Sequence, residues 1–303
     1  MLVLIVGVSG HLGQQLASAA LARGLQVRGL GRKPESLSPE LLHKLESFVQ
    51  SVSYYDIPAI EKAMIGVDAV ISAYSSSPVL DLDANLLLLR AAERAQIKVF
   101  VVSSWNNDWT NIKFGDFENY DAHIAFEKHA ALTSPIKPVY FFTGIFADLI
   151  YSPYGPGGFE LTEGKGKMSY WGNGNTVKYP WSTTEDIAAW TIEILINGKG
   201  VQEGKGGFFR FRSGENTVEE FAAIYEKSTG TKVDVVNGGS LEDLEAELAS
   251  DRERKGRAAW FEYLPKAAVL LGNKGSWDWE ERENLDHVRA PTSLESWLKT
   301  QQK

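Results

Sequence analysis

The chain has 303 residues, with 31 lysine and arginine residues against 39 aspartate and glutamate residues, and it contains no cysteine. The absence of thiols excludes a cysteine nucleophile, a disulfide framework and cysteine-based zinc or iron–sulfur sites. The formal net charge of -8, without a basic run interleaved with aromatic residues, argues against nucleic acid as a partner. A chain of this length is long enough for about two domains of typical size.

The first apolar run, residues 2 to 6, predicts a buried strand at the very start of the sequence. We therefore expect no cleavable leader. No apolar stretch reaches the length of a membrane span, so we expect no membrane partner and a cytoplasmic protein. Nothing in the sequence separates a monomer from a homodimer.

A glycine-rich turn follows this strand. Gly7, Gly10 and Gly13 lead into a helical pattern over residues 12 to 22. In such a turn one glycine allows the sharp exit from the strand, one lets backbone N–H groups approach a pyrophosphate, and one lets the helix pack close to the sheet. The free N–H groups and the positive dipole end of the helix then bind the anion. The turn predicts a dinucleotide-binding site.

The second predicted strand, residues 25 to 30, ends at Gly31, Arg32 and Lys33. Sites for NAD usually carry an aspartate or glutamate here, which accepts a hydrogen bond from the ribose 2′-hydroxyl. A guanidinium instead binds a 2′-phosphate through charge-assisted hydrogen bonds, and a carboxylate would repel it. The sequence therefore predicts NADP(H) as the cofactor.

Strands and helices alternate through the first half of the chain. Further strands are predicted at residues 49 to 54, 69 to 73 and 99 to 103, with helices at 57 to 65 and 80 to 95. Short, uninterrupted apolar runs are typical of parallel strands that helices cover on both faces. Repeated βα units predict an α/β fold with a Rossmann-type doubly wound parallel sheet and a ligand at the carboxyl ends of the strands.

The pattern becomes less regular in the second half. Residues 151 to 180 are rich in glycine, tyrosine, tryptophan and proline, which predicts loops that close over a bound molecule. The elements predicted after them are a helix at 184 to 196, a strand at 208 to 212, and helices at 217 to 229 and 241 to 249. We assign residues 1–147 to an NADP(H)-binding Rossmann domain. Residues 148–303 form a smaller, mixed substrate-binding lobe with segments that return to the first domain.

Several segments together resemble the NmrA-like and isoflavone-reductase-like atypical short-chain dehydrogenase/reductases. They are Gly7 to Gly13, Arg32 and Lys33, Gly66 to Ser72, the strand leading to Ser103 and Ser104, Phe126 to Lys128, Thr143 to Phe146, and Thr184 to Ala188. The resemblance implies an NADP(H) site on the N-terminal lobe and a small organic substrate between the lobes. The residues implied to contact the cofactor are Gly7, Ser9, Gly10, His11, Leu12, Gly13, Arg32, Lys33, Ala73, Tyr74, Ser75, Ser103, Lys128, Gly144 and Phe146.

The resemblance also implies a catalytic lysine. Reductases of this group use a lysine in the helix after the fifth strand, and Lys128 has the matching position. An ammonium beside the nicotinamide stabilises developing negative charge or donates a proton. The Tyr-x-x-x-Lys pair of the larger superfamily is missing, because Tyr120 lies eight residues before Lys128. Tyr120 and His123 are auxiliary candidates; a surface lysine and locally hydrogen-bonded rings are the alternative interpretation.

Five aromatic residues lie at or after predicted strand ends on the side where the ligand should bind. They are Trp105, Tyr151, Tyr154, Trp171 and Trp181. An aromatic wall suits a flat apolar substrate, so we expect two or three of them to contact it. No cluster of side chains has metal-ligand spacing, since His123 and Glu127 form only a pair, and we expect no metal.

The leading hypothesis is an NADPH-dependent reductase. It would transfer hydride to a small aromatic or unsaturated carbonyl-type metabolite, with Lys128 as proton donor or stabiliser. The alternatives are a non-catalytic NADP(H)-binding redox sensor of the NmrA-like type, and a redox-neutral isomerase on the same fold.

Overall fold

A computed structural model describes residues 1–279 and 281–301. Its first half alternates strands and helices along the chain. The elements are β1 (Leu2–Val6), α1 (His11–Ala22), β2 (Gln26–Gly31), α2 (Pro39–Lys44), β3 (Ser47–Gln50), α3 (Ile57–Met64), β4 (Ala69–Ser72), a π-helix (Val79–Ala84) that continues into α4 (Asn85–Arg94), β5 (Val99–Val101), α5 (Glu118–Thr133) and β6 (Val139–Phe142).

The described residues of the second half also form strands and helices, in a less regular order. The elements are β7 (Ile145–Phe146), α6 (Ala147–Ile150), β8 (Glu160–Thr162), β9 (Lys165–Tyr170), β10 (Tyr179–Ser182), α7 (Thr184–Asn197), β11 (Gly207–Arg210), β12 (Gly214–Asn216), α8 (Val218–Thr229), β13 (Val233–Asn237), α9 (Leu241–Lys255), α10 (Leu264–Asn273) and α11 (Leu294–Gln301). None of the helices in the described residues is long and apolar enough to cross a membrane.

The central sheet has seven strands in the order β11-β6-β5-β4-β1-β2-β3, and every pairing in it is parallel. This order confirms the predicted Rossmann-type α/β fold. The chain runs outward from β1 through β2 to β3 and then returns to β4 on the other side of β1. Ligands of doubly wound sheets bind at the carboxyl ends of the strands beside such a reversal.

Alternate residues of β1 explain why helices cover both faces of the sheet. Val3 and Ile5 belong to a buried cluster that contains Leu16 of α1 and Trp190 of α7. Leu4 and Val6 face the other way, into a cluster that includes residues of α3, α4 and α5. Because successive side chains of a strand point to opposite faces, an uninterrupted apolar run requires cover on both sides.

Several predicted elements are wrong: the helix predicted over residues 241 to 249 continues to Lys255, and the segment 151 to 180, predicted as loops, contains β8 and β9. The third strand covers Ser47–Gln50 and not residues 49 to 54, because its last partner is Gly31, where β2 itself ends. The helix predicted over residues 80 to 95 begins as a π-helix and becomes α-helical only at Asn85. Residue spacing alone predicts neither the end of a neighbouring strand nor a wider helical turn.

Parts of the second half pack against the first. Strand β11 extends the central sheet by pairing with β6, and α7 packs against α1. Two small sheets, ordered β12-β10-β7 and β13-β9-β8, lie outside the central one. At the start of the first of these, Gly144 has a φ of 71°, and a Cβ there would lie 2.1 Å from the carbonyl oxygen of Pro180.

Gly13 allows α1 to pack directly on the turn after β1. A Cβ at this position would lie 2.3 Å from the carbonyl oxygen of Gly7. We expect Gly13→Ala to lower the free energy of unfolding by at least about 2 kcal/mol, since the helix would have to move away from the sheet. Chemical denaturation measures the loss, with Ser18→Ala on the exposed side of the same helix as the control. Equal unfolding midpoints for the two variants would contradict this account.

Candidate functional site

A cavity of about 810 Å³ opens at the carboxyl ends of β1, β2, β4 and β5. Its wall comes from residues 6–7, 9–12, 30–33, 36, 51, 54, 73–76, 103–106, 146 and 148–149, together with side chains from the π-helix and α5. The predicted cofactor contacts that line it are Gly7, Ser9, Gly10, His11, Leu12, Arg32, Lys33, Ala73, Tyr74, Ser75, Ser103 and Phe146. The topology thus brings residues far apart in the sequence to one crevice.

The N-terminus of α1 opens into this cavity. Gly7 has a φ of 78°, which turns the chain sharply out of β1, and Gly10 is the N-cap residue. Among the described residues no side chain caps this helix, and its first turn holds no acidic residue. The leading N–H groups therefore remain available to an anion. Gly13 faces the turn rather than the cavity, which fits the packing role described above.

Two basic side chains lie beside that helix end. Arg32 and Lys33 are exposed, line the cavity, and form no ion pair with any of the residues described. The Gln50 amide donates to the Arg32 carbonyl oxygen at 3.0 Å and fixes the backbone there. Burial raises the pKa of Tyr74 to about 12, and the nearby charge of Arg32 opposes the shift. This end of the cavity is positive and open to an anionic ligand.

The opposite end of the cavity contains an acidic side chain that the sequence analysis missed. Asp81, in the π-helix, is 1% exposed. Its Oδ2 accepts from Ser76 Oγ at 3.0 Å and lies 3.7 Å from Nε2 of His123, on α5. Its Oδ1 has no hydrogen-bond partner among the described residues. Burial raises the pKa of the Asp81 carboxyl to about 7.

His123 is buried beside Asp81. Burial lowers the pKa of its imidazole to about 4, so the ring is neutral at neutral pH. The Asn106 amide is satisfied when its oxygen accepts from His123 Nε2 at 3.1 Å and its nitrogen donates to the carbonyl oxygens of Ser104 and Asn107. The Trp109 ring lies nearly parallel to the imidazole, at 4°. The imidazole is therefore fixed on two sides.

A buried asparagine connects the π-helix to the end of β5. Asn85 Nδ2 donates to Ser103 Oγ at 2.9 Å and also contacts the carbonyl oxygens of Leu80 and Asp81, at 3.0 and 3.2 Å. The side chain thereby binds carbonyl groups within the wide turn. It holds the turn that carries Asp81 against the sheet.

The structure does not bring Lys128 to the cavity. Its side chain is 74% exposed, and its ammonium forms an ion pair with Glu127 at 2.9 Å. Five residues after His123, it projects about 140° away from His123 around the helix axis. Tyr120 is buried against Phe117 and Trp277, where desolvation raises its pKa, and it lies outside the cavity wall. Of the three predicted catalytic residues, only His123 lines the cavity.

Of the five predicted substrate contacts, one lines the cavity and four lie elsewhere. Trp105 lines the cavity, and its indole N–H donates to Thr191 Oγ1 at 2.9 Å. The other four lie outside the cavity wall: Tyr151 donates to the Phe221 carbonyl oxygen, Trp181 donates to Asn216, Trp171 packs on Gly238, and Tyr154 is 51% exposed. Leu80, Phe146 and Leu149 complete the apolar wall near Trp105.

Side chains that could ligate a metal do not come together. Within residues 1–279 and 281–301, no group of three or more histidine, cysteine, aspartate and glutamate side chains could hold a metal ion.

The sheet order, the glycine turn and the crevice at the strand ends define a Rossmann-type protein. The sequence matches the NmrA-like family over residues 1–260. The chain belongs to the NmrA-like family, which confirms the resemblance drawn from the sequence.

The chain is also similar to curated reductases and, in its fold, to solved oxidoreductase structures. The chain is 26% identical over 244 residues to a phenylcoumaran benzylic ether reductase from Ginkgo biloba, covering 77% of each chain. It is 26% identical over 251 residues to a bifunctional pinoresinol-lariciresinol reductase from Linum perenne, again covering 77% of each. An NADPH-dependent quinone oxidoreductase from Escherichia coli, complexed with NADPH, has a TM-score of 0.72 at 19% identity, covering 99% of this chain and 100% of that one. The leucoanthocyanidin reductase–NADPH complex from Vitis vinifera gives 0.72 at 20%, covering 99% of each.

Proposed function

We propose that this protein is an NADPH-dependent reductase of a small, flat, largely apolar metabolite that carries a carbonyl or a conjugated double bond. The observation that carries this proposal is the composition of the cavity. One end combines an uncapped helix N-terminus with Arg32 and Lys33, and the other combines an apolar wall with the buried pair Asp81 and His123.

The positive end of the cavity fits the phosphates of NADP(H). The first N–H groups of α1 would bind the pyrophosphate, and Gly10, with no Cβ, would let it approach the backbone. The guanidinium of Arg32 and the ammonium of Lys33 would bind the 2′-phosphate. Tyr74 and Ser75 of the loop after β4 and Ser103 after β5 would contact the rest of the molecule. When bound, the reduced cofactor supplies a hydride.

The other end suits an aromatic substrate. Trp105, Phe146, Leu80 and Leu149 offer apolar surface, while Asn106 and His123 supply the polar groups that orient a ligand oxygen. The relatives support the same class, because the curated ones are reductases of phenylcoumaran and pinoresinol-type compounds.

Two measurements test this function. Calorimetric titration should detect tight NADPH binding, and the loss of NADPH absorbance should report turnover with at least one of menadione and trans-chalcone. We expect Lys128→Ala to retain wild-type turnover because its ammonium lies in solvent beside Glu127. Loss of turnover in that variant, with NADPH binding intact, would restore the lysine to the mechanism. Binding without turnover of any probe would favour the redox sensor.

A further inference from the structure

We infer that Asp81 is the acid that protonates the substrate in this cavity, an assignment that rests on the reductase function proposed above. Reduction of a carbonyl adds a hydride to carbon and a proton to oxygen, so the reaction needs a proton source on the substrate side of the cavity. Lys128 is in solvent and Tyr120 lies outside the wall. Asp81 is the acidic side chain that the π-helix presents to the cavity.

The geometry around Asp81 fits a proton donor. Ser76 Oγ donates to Oδ2 at 3.0 Å, and the backbone of Ser77 also favours the charged carboxylate, since it lowers the pKa of Asp81. Oδ1 has no partner within the described part of the chain, although a buried carboxyl oxygen is normally hydrogen-bonded. The lone pairs of this buried oxygen are therefore not used by any of the described residues. Short π-helical turns also occur frequently at functional sites.

The groups around Asp81 explain why it holds a proton. The loop before the π-helix contributes only Ser76 and Ser77, and α4 contributes the neutral Asn85. From α5 the facing titratable group is His123, which burial keeps neutral. Because no cation among the residues described balances the carboxylate, desolvation favours the protonated acid, and the pKa of about 7 keeps Asp81 near the working pH.

Hydride transfer and proton transfer together balance the reaction. The substrate carbon gains the hydride while the O–H bond of Asp81 breaks and an O–H bond forms on the substrate oxygen. NADPH is oxidised to NADP⁺, the substrate is reduced, and Asp81 is left as a carboxylate. The Ser76 hydroxyl stabilises that carboxylate through its hydrogen bond, and the backbone of Ser77 also favours the charged form. A proton from water then restores the acid.

The test compares Asp81→Asn with Asp83→Asn, in which the exposed neighbour on the same π-helix is changed. The amide introduced by Asp81→Asn keeps the shape of the carboxyl but cannot donate a proton as an acid. With menadione and NADPH, we expect kcat of Asp81→Asn to fall at least about a hundredfold. Calorimetric Kd for NADPH should be unchanged in both variants. Wild-type kcat should decrease as the pH rises through about 7, and the variant should lose this dependence.

Infrared spectra of the wild type and of the two variants provide a measurement that does not depend on turnover. At about pH 6 the wild type should show the C=O stretch of a protonated carboxylic acid, which Asp81→Asn lacks and Asp83→Asn keeps. A wild-type spectrum without that band, or an unchanged kcat in Asp81→Asn, would overturn the assignment. A wild type that shows the band and binds NADPH but turns over none of the probes would instead refute the reductase function, and the proton-donor role with it.

Discussion

Replacing Asp186 with asparagine is expected to cause one of the largest losses of stability available from a single change in this chain. Asp186 lies in the first turn of α7 and is fully buried. Its Oδ1 accepts from Arg289 Nε at 2.6 Å and from Thr292 Oγ1 at 2.9 Å. Its Oδ2 accepts from the Thr292 N–H at 2.8 Å and from Ser213 Oγ at 2.6 Å. This carboxylate therefore joins α7 to Ser213 and to the segment that contains Arg289 and Thr292.

An amide cannot replace this carboxylate. The side chain introduced by Asp186→Asn would keep one acceptor oxygen and would turn an NH₂ group toward donors, which leaves buried groups unpaired. We expect the free energy of unfolding to fall by about 3 kcal/mol or more. Urea denaturation measures the loss, and Glu185→Gln, at the exposed neighbouring position, is the control. Hydrogen exchange should also show faster exchange around Thr292. Unfolding midpoints equal to those of the control would contradict this role.

The cofactor end of the site could be predicted because its requirements are local. A chain that leaves a strand and enters a helix at once needs a positive φ, which Gly7 has, and a close approach, which Gly13 permits. The position of Arg32 is likewise fixed locally, because Arg32 directly follows the end of β2. These constraints act within a few residues, so the residue types alone reveal them.

The substrate end could not be predicted in the same way. Whether Lys128 or His123 faces the cavity depends on how α5 is rotated against the sheet, and that rotation is set by contacts with distant residues. Trp171 follows β9 and Trp181 lies within β10, in the two small sheets, where Trp171 packs on Gly238 and Trp181 donates to Asn216. Their position after a strand end was therefore not enough to place them at the central crevice.

One signal for Asp81 was present in the sequence. Asp81 has the spacing of Ala84, Asn85 and Leu88, which the structure buries, so an acidic residue occupied the apolar stripe of a predicted helix. A buried carboxyl needs a specific reason, because burial of a charged group is costly. The link between Asp186 and Arg289 carried no such signal, since 103 residues separate the two.

The second large effect concerns the cofactor. We expect Arg32→Asp to weaken NADPH binding by about 10- to 100-fold, because it replaces charge-assisted hydrogen bonds to the 2′-phosphate with repulsion. NADH has no such phosphate, so its affinity should stay the same or rise when the introduced carboxylate accepts from the 2′-hydroxyl. Calorimetric titration of both nucleotides measures the change in preference.

The control for Arg32→Asp is Lys62→Asp, which makes the same charge change on the exposed side of α3, outside the cavity wall. A long-range charge effect would weaken NADPH binding in both variants and would decrease with salt, since exposed charges beyond a Debye length are screened. Direct contact predicts a loss confined to Arg32→Asp and to NADPH. Equal losses for NADPH and NADH would show that Arg32 does not bind the 2′-phosphate, and Lys33 would then be the remaining basic candidate at this end of the cavity.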